Sequence, residues 1–313
     1  MLKALKIFLI LLLSTLLLLI LSEIYLRYIG LGNPLIYKKS LDFGYLPKEN
    51  QQITRFNNSQ ITIDKNNFRN SDISPSNNNK IYFLGDSVTY GGSYIDDNDL
   101  FSSKVCKKLK VIDNYTFTCL NGGVNAYGFE NIFKRLEFLD YKEKDFVVIT
   151  FILGNFYRNF IQIESLPYFT KKNNNIFKAN LELFSYFLDK LRNKIRFKER
   201  KFKDYQEKDN FAALKLKIEK DISKIKNLSN NNGNIIILFS PSKNNYKKRK
   251  LFEIEDYLFD NFTNNINFFS LKDYIKVSQI DKIYHDNIHL NSYGHEVYAD
   301  IITKIILNKI KNE

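Results

Sequence analysis

From residue 80 onward the chain is built on short apolar runs, at 80–85, 117–120, 145–153, 235–240 and 267–271. Each is rich in Ile, Val, Leu or Phe and too short for a buried helix, so each reads as a strand. An unbroken apolar run, without in-out alternation, is the pattern of a strand covered on both faces. The stretches between them carry apolar residues three and four apart, the helical period. Helices are expected near 99–110 (Leu100, Val105, Leu109), 129–139, 179–199, 210–229, 250–263 and 292–310. The stripe Phe211, Leu214, Ile218, Ile222, Ile225 and Leu228 is the clearest, and Asn230 to Gly233 closes it.

Strands alternating with helices make an α/β fold with a parallel sheet between two helical layers. The expectation is a flavodoxin-like three-layer sandwich: five parallel strands in the order 2-1-3-4-5, joined by right-handed crossovers. This domain covers 79–313 and holds a helical insertion at about 156–233. Residues 31–78 form a leader with short strands. Gln60 to Asp64 alternates in strand fashion, and Ser74-Pro75-Ser76 with the asparagines after it makes a loop. The leader is expected to add a small hairpin or to cover a sheet edge.

Residues 1–30 have a different character. Lys3 and Lys6 precede Ile7 to Leu21, a run broken only by Ser14 and Thr15. A spanning helix needs about 20 residues. The run reaches that length by continuing to Ile29, with Glu23 and Arg27 in the far headgroup region, where arginine snorkels. No Ala-x-Ala cleavage pattern follows, so the segment reads as an uncleaved signal anchor, with the rest of the chain outside the cytoplasm. Leucines on every face exclude a helix half-buried in a soluble core.

The net charge of +13 invites a nucleic-acid reading. The lysines are dispersed and no nucleic-acid-binding signature accompanies them, so that reading is set aside. The charge serves solubility or attraction to an acidic polymer or lipid. Cys106 and Cys119, the chain's 2 cysteines, form either one disulfide or two buried thiols. The 3 histidines, His285, His289 and His295, fall close together, but their context gives no good metal spacing. No metal or other cofactor is expected.

The chemistry lies where the first strand ends. Ile81-Tyr82-Phe83-Leu84 runs into Gly85-Asp86-Ser87, which places Ser87 at the carboxyl end of a parallel strand, where ligands of α/β sheets bind. A serine hydroxyl needs a base in reach, and the base needs an orienting partner. Asp286-Asn287-Ile288-His289, just before the terminal helix, supplies both. Ser87 is then the nucleophile, His289 its base and Asp286 the partner of His289, in the chain order Ser…Asp…His. Oxyanion donors are the Ser87 N–H, a backbone N–H near Ala126 in the glycine-rich loop after the second strand, and the amide of Asn155 after the third. Asp86 braces the turn; His285 and His295 are structural.

These blocks together resemble the SGNH hydrolase superfamily, also called the GDSL esterases. Gly85 to Gly91 reads Gly-Asp-Ser-x-Thr-x-Gly, and Asp286 to His295 reads Asp-x-x-His-Leu-Asn-x-x-Gly-His, as in membrane-anchored members. Phe68-Arg69 resembles a segment that precedes the catalytic domain there. The resemblance implies an ester hydrolase working through an acyl-serine, with Ser87, Ala126, Asn155 and His289 in the four block positions. Two positions depart from it. The glycine of the second block falls on Ala126, with Gly123 the alternative; the Ala126 N–H still serves if its φ is negative, and the change costs little unless left-handed geometry is required. Phe156 stands where an aspartate usually follows the asparagine. The expected substrate is an acylated carbohydrate, such as an ester of a cell-envelope glycan. The alternatives are O-acyl transfer to a surface polysaccharide and a non-catalytic glycan-binding protein of the same fold.

Overall fold

The computed structural model describes residues 2–69, 79–113, 115–158, 160–166, 168–201, 210–229, 234–247, 256–257 and 267–312. The helix expected over 250–263, the turn at Asn230 to Gly233 and most of the loop after Ser74 lie outside the described residues.

Helix α1 spans Leu2–Tyr28. It is long and apolar enough to cross a membrane, and its apolar residues are exposed along its length. The leader follows as two antiparallel hairpins: β1 (Tyr37–Ser40) with β2 (Gly44–Pro47), and β3 (Gln51–Thr54) with β4 (Gln60–Ile63). The leader then meets the main sheet. Arg69 pairs antiparallel with Asn121, and its N–H donates to the Asn121 carbonyl at 2.8 Å. That contact covers part of the edge that the sheet would otherwise leave open.

The sheet contains β5 (Lys80–Gly85), β6 (Thr118–Gly123), β7 (Phe146–Phe151), β8 (Ile235–Phe239) and β9 (Asn267–Ser270). The strands are parallel in the order β6-β5-β7-β8-β9, which is the expected 2-1-3-4-5. Alternate residues feed two cores. Tyr82, Leu84, Val147, Ile149, Ile235 and Ile237 face the layer that also holds leader residues Tyr45, Ile53 and Ile61. Ile81, Phe83, Val148, Ile236 and Leu238 face Phe101, Val105 and the terminal helix. Burial on both faces explains why these strands read as continuous apolar runs.

The helices are α2 (Ser87–Tyr90), α3 (Phe101–Asp113), α4 (Phe129–Glu137), α5 (Leu153–Tyr157), α6 (Lys178–Lys201), α7 (Asn210–Ser229), α8 (Lys243–Lys247), α9 (Ile280–Ile283) and α10 (Ser292–Asn312). Ile218, Ile222 and Ile225 of α7 are fully buried and Leu228 packs against the same core, so this part of the expected stripe faces inward; the side chains of Phe211 and Leu214 lie outside the described residues. The disulfide forms: Cys106 of α3 joins Cys119 of β6.

One strand is longer than its sequence suggests. Asn121-Gly122-Gly123 reads as loop, yet β6 continues through it. Gly122 is crowded by Leu84 and Phe68, and Gly123 is required because α2 lies close against the strand. A Cβ on Gly123 would sit 2.2 Å from the Tyr90 nitrogen.

Candidate active site

The turn from β5 into α2 places Ser87. Gly85 lets the backbone pass close to the next helix, since a Cβ there would fall 2.1 Å from Thr89 Oγ1. Asp86 is the N-cap of α2, and its Oδ1 accepts the Val88 N–H at 3.0 Å. Ser87 is the first helical residue, so its own N–H has no acceptor within the helix.

The last tenth of the chain meets this turn. His289 Nε2 lies 2.8 Å from Ser87 Oγ across 202 residues of sequence, and His289 Nδ1 lies 2.7 Å from Asp286 Oδ2. The other carboxylate oxygen, Oδ1, accepts the N–H groups of Ile288 and His289, each at 2.8 Å. Partial burial opposes ionisation of Asp286. The bonds from the His289 ring and from the two backbone N–H groups outweigh it and hold the carboxyl below its ordinary range. An ionised Asp286 bonded to Nδ1 fixes the tautomer that leaves Nε2 as the acceptor for the serine proton. Ser87 and the distant Asp286–His289 pair are thus within hydrogen-bond reach in series.

The oxyanion candidates divide. Ala126 lies in the loop between β6 and α4, and that loop starts beside the nucleophile, where the Val124 N–H donates to the Gly85 carbonyl at 3.1 Å. Its φ is +65°, so the case in which the alanine has a cost, left-handed geometry, is the one found. The loop adopts the left-handed geometry that favours glycine, and alanine carries the steric cost. Asn155 is fully buried in α5. Its Oδ1 accepts the Ile152 N–H at 2.7 Å, while Nδ2 donates to Asp86 Oδ2 at 3.1 Å and to the Tyr127 carbonyl at 2.9 Å. Its amide hydrogens are therefore engaged by the protein in this state.

Several residues give the site its shape without having been read as site residues. Arg158 Nη1 donates to the same two acceptors as Asn155, Asp86 Oδ2 and the Tyr127 carbonyl, both at 3.1 Å. A lone arginine in an irregular stretch carries no sequence signal. Arg69 is 1% exposed. It donates to Asp97 Oδ1 at 2.8 Å and to the carbonyls of Tyr90, Gly92 and Ile95, and so ties down the segment after α2. Its motif was visible, but its role was not. Asn121 Nδ2 donates to the Thr89 carbonyl at 2.7 Å and holds α2 from beneath. On the histidine side, Asn287 accepts the Lys243 N–H through its carbonyl at 2.8 Å and the Asn244 N–H through its side chain at 3.0 Å. Tyr94 links the two halves through its hydroxyl, which donates to the Leu290 carbonyl at 3.0 Å.

The leader reaches the site as well. The Tyr45 hydroxyl donates to the Asn125 carbonyl, and Asn125 Nδ2 donates to the Tyr37 hydroxyl at 3.2 Å. Tyr37 stacks on Tyr168 of the insertion at 4.5 Å. The loop carrying Ala126 is thus held by residues from outside the α/β domain. Phe156 is fully buried between Phe129, Phe151 and Phe239. Aromatic packing fixes α5 where an aspartate could have done so by hydrogen bonding. His285 stacks on Tyr94 at 4.1 Å. His295 is fully buried, and its Nδ1 accepts the Phe101 N–H at 3.1 Å.

No family model and no curated protein matches the sequence. Solved structures similar to it are lipolytic and ester-cleaving hydrolases. A lipase/acylhydrolase from Enterococcus faecalis is 15% identical, with 74% of this chain and 96% of that one covered at a TM-score of 0.44. A member of the lipolytic G-D-S-L family from Veillonella parvula is 14% identical, with 70% and 93% covered at 0.39. A catalytic mutant of Axe2, an acetylxylan esterase from Geobacillus stearothermophilus, is 13% identical, with 73% and 94% covered at 0.43. The likeness is one of fold.

Proposed function

We propose that this chain is a membrane-anchored serine esterase that removes an acyl group, acetyl being the simplest, from a cell-envelope glycan. The observation that carries the reading is the continuous relay from Ser87 through His289 to Asp286, at 2.8 and 2.7 Å. Ser87 Oγ attacks the ester carbonyl and gives its proton to His289 Nε2. Asp286 stabilises the imidazolium. The N–H groups of Ser87 and Ala126 receive the oxyanion. The carbon–oxygen bond to the sugar then breaks, and His289 returns the proton to the departing hydroxyl. Water, deprotonated by His289, releases the acid from acyl-Ser87.

Asn155 joins the oxyanion donors when its amide turns from Asp86. Arg158 already donates to both acceptors that Asn155 would release, so neither is left bare. The glycan part of the reading draws on the apolar N-terminal helix, which would hold the enzyme at the envelope, and on the net charge of +13, which favours acidic polymers. A disulfide between Cys106 and Cys119 suits the oxidising side of a membrane.

The test uses the full chain in detergent. Release of acetate from an acetylated oligosaccharide, lost in Ser87→Ala, supports hydrolysis. Covalent labelling by a fluorophosphonate reports an activated serine independently of the substrate. A chain that neither labels nor releases acetate is a binding protein with this fold. A chain that labels but turns over only when a glycan acceptor is added is an acyltransferase.

A further inference from the structure

Helix α6 opens the insertion and packs against the end of α1. Glu23, 5% exposed, accepts the N–H groups of Ala179 and Asn180 at 3.0 and 2.9 Å, and Asn180 Nδ2 at 2.8 Å. Ser22 Oγ donates to Asn180 Oδ1 at 2.8 Å, and Arg27 bonds both Glu23 and the Ile176 carbonyl. Helix α6 therefore begins at the level where the apolar run of α1 ends. Glu182, one turn on, pairs with Arg55 of the leader at 2.6 Å, with both side chains almost wholly buried. It also accepts the Gly32 N–H at 2.6 Å. The exit from α1 is thus clamped to the leader and to α6 by buried polar contacts. It is not a free tether.

The outer side of α6 has the opposite character. Leu181, Phe184, Phe187 and Leu191 are exposed, Phe184 at 57%, and Leu188 is half-buried among them. Their spacing of three and four makes one stripe, turned away from the buried Ala179 and Glu182. The sequence of α6 adds Lys190, Arg192, Lys194, Arg196, Lys198, Arg200 and Lys201 after that stripe, against Asp189 and Glu199. An apolar stripe that passes into a basic stretch is the composition of a helix lying in a bilayer interface.

We infer that α6 is an interfacial helix, its apolar stripe set into the headgroup boundary of the membrane that α1 crosses. The inference rests on α1 crossing the bilayer, which gives the occupant: the bonds of Ser22 and Glu23 to the first turn of α6 hold the stripe beside the exit of α1. The catalytic domain then sits on the membrane in one orientation, because Glu23 fastens α1 to α6 and Glu182 fastens α6 to the leader through Arg55 and Gly32.

The chain contains no tryptophan, so a single introduced one reports its own surroundings. The full chain is reconstituted in phosphatidylcholine–phosphatidylglycerol vesicles, with lipids brominated on the upper or the lower acyl chain. Phe184→Trp is expected to lose most of its emission to the upper bromines. Leu13→Trp, midway along α1, loses most of its emission to the lower ones. Val111→Trp, exposed at the end of α3 on the other face of the sheet, keeps its emission. If Leu13→Trp is quenched while Phe184→Trp and a second probe, Phe187→Trp, stay bright, the seating is overturned and the anchor stands. If Leu13→Trp also stays bright, the anchor reading fails first and the seating with it. If Phe184→Trp is shielded from aqueous iodide yet untouched by bromine, a protein surface or a second copy covers the stripe, and the proposal is wrong.

Discussion

The two halves of the relay are held in different ways. The nucleophile half is locked inside the domain: Asp86, Val88, Thr89 and Tyr90 are buried, and Arg69, Asn121 and Asp97 brace them from three separate parts of the chain. The base half is a surface loop. His285, Asp286 and Asn287 are exposed, and the loop keeps its shape by short-range bonds within itself and two contacts with the start of α8. The serine's position is therefore a property of the whole fold, whereas the imidazole's orientation is a local property of four residues. Substitutions on the first side should cost stability and activity together, and substitutions on the second should cost activity alone.

The largest expected effect is loss of Ser87, the proposed nucleophile. Ser87→Ala should lower kcat/KM by roughly 10⁴- to 10⁶-fold, with the melting temperature almost unchanged, because the hydroxyl's partner is the half-exposed His289. Steady-state hydrolysis and a thermal melt on the same preparation check it. Asp286→Asn comes next. It should reduce kcat by about 10³- to 10⁴-fold by offering the wrong hydrogen-bond partner to Nδ1, again with little change in stability. A large fall in melting temperature for Asp286→Asn would show that the base loop is part of the global fold after all.

Arg69→Met breaks the comparison from the other side. It strands Asp97 in the interior and releases three carbonyls, at a cost of about 3–5 kcal/mol. Activity should fall with it, although the side-chain bonds of Arg69 go to Asp97, Tyr90, Gly92 and Ile95 and not to Ser87, His289 or Asp286. Chemical denaturation with parallel kinetics measures both. Arg69→Met with Asp97→Asn should recover part of the stability, since the second change removes the unpaired charge.

His295 joins the halves and carries a pH signature. It begins in α10, beyond the base loop, and packs its ring against Gly91 and Phe101 near the nucleophile. Burial, with help from Arg69 and Lys104, pushes its pKa down from 6.5 to about 3. Between those values the unfolded chain binds a proton here that the folded chain does not, so stability falls as pH drops from 6.5 toward 3. His295→Asn, which keeps an acceptor for the Phe101 N–H and cannot titrate, should flatten that part of the stability profile. Denaturation midpoints across the acid range decide it. An unchanged slope would mean that other groups carry the acid sensitivity.

What could be read in advance follows the same division. Strand order, Ser87, and the Asp286–His289 pair depend on local pattern and chain order, and the sequence displays both. The bracing of the nucleophile does not. Asn121 reads as loop because glycines follow it, whereas close packing of Leu84 and Phe68 on Gly122, and of α2 on Gly123, requires those glycines in a strand. Arg69 and Arg158 act through carbonyls and a carboxylate brought from elsewhere in the chain, and no spacing rule announces such partners. The leader's tyrosines are silent for the same reason: Tyr37 and Tyr45 acquire their role only once the Asn125 loop lies against them.

Ala126 is the smallest test and the sharpest on the oxyanion loop. A left-handed alanine costs about 1–2 kcal/mol relative to a relaxed backbone, and glycine removes that cost while adding about 0.5–1 kcal/mol of unfolded-state entropy. Ala126→Gly should therefore raise stability by at most about 1.5 kcal/mol, a shift of a few degrees in a thermal melt. Because φ is already +65°, the N–H should stay where it is and kcat should hold. A fall in kcat with the stability gain intact would mean that the alanine methyl, not the backbone amide, is what this loop brings to the substrate.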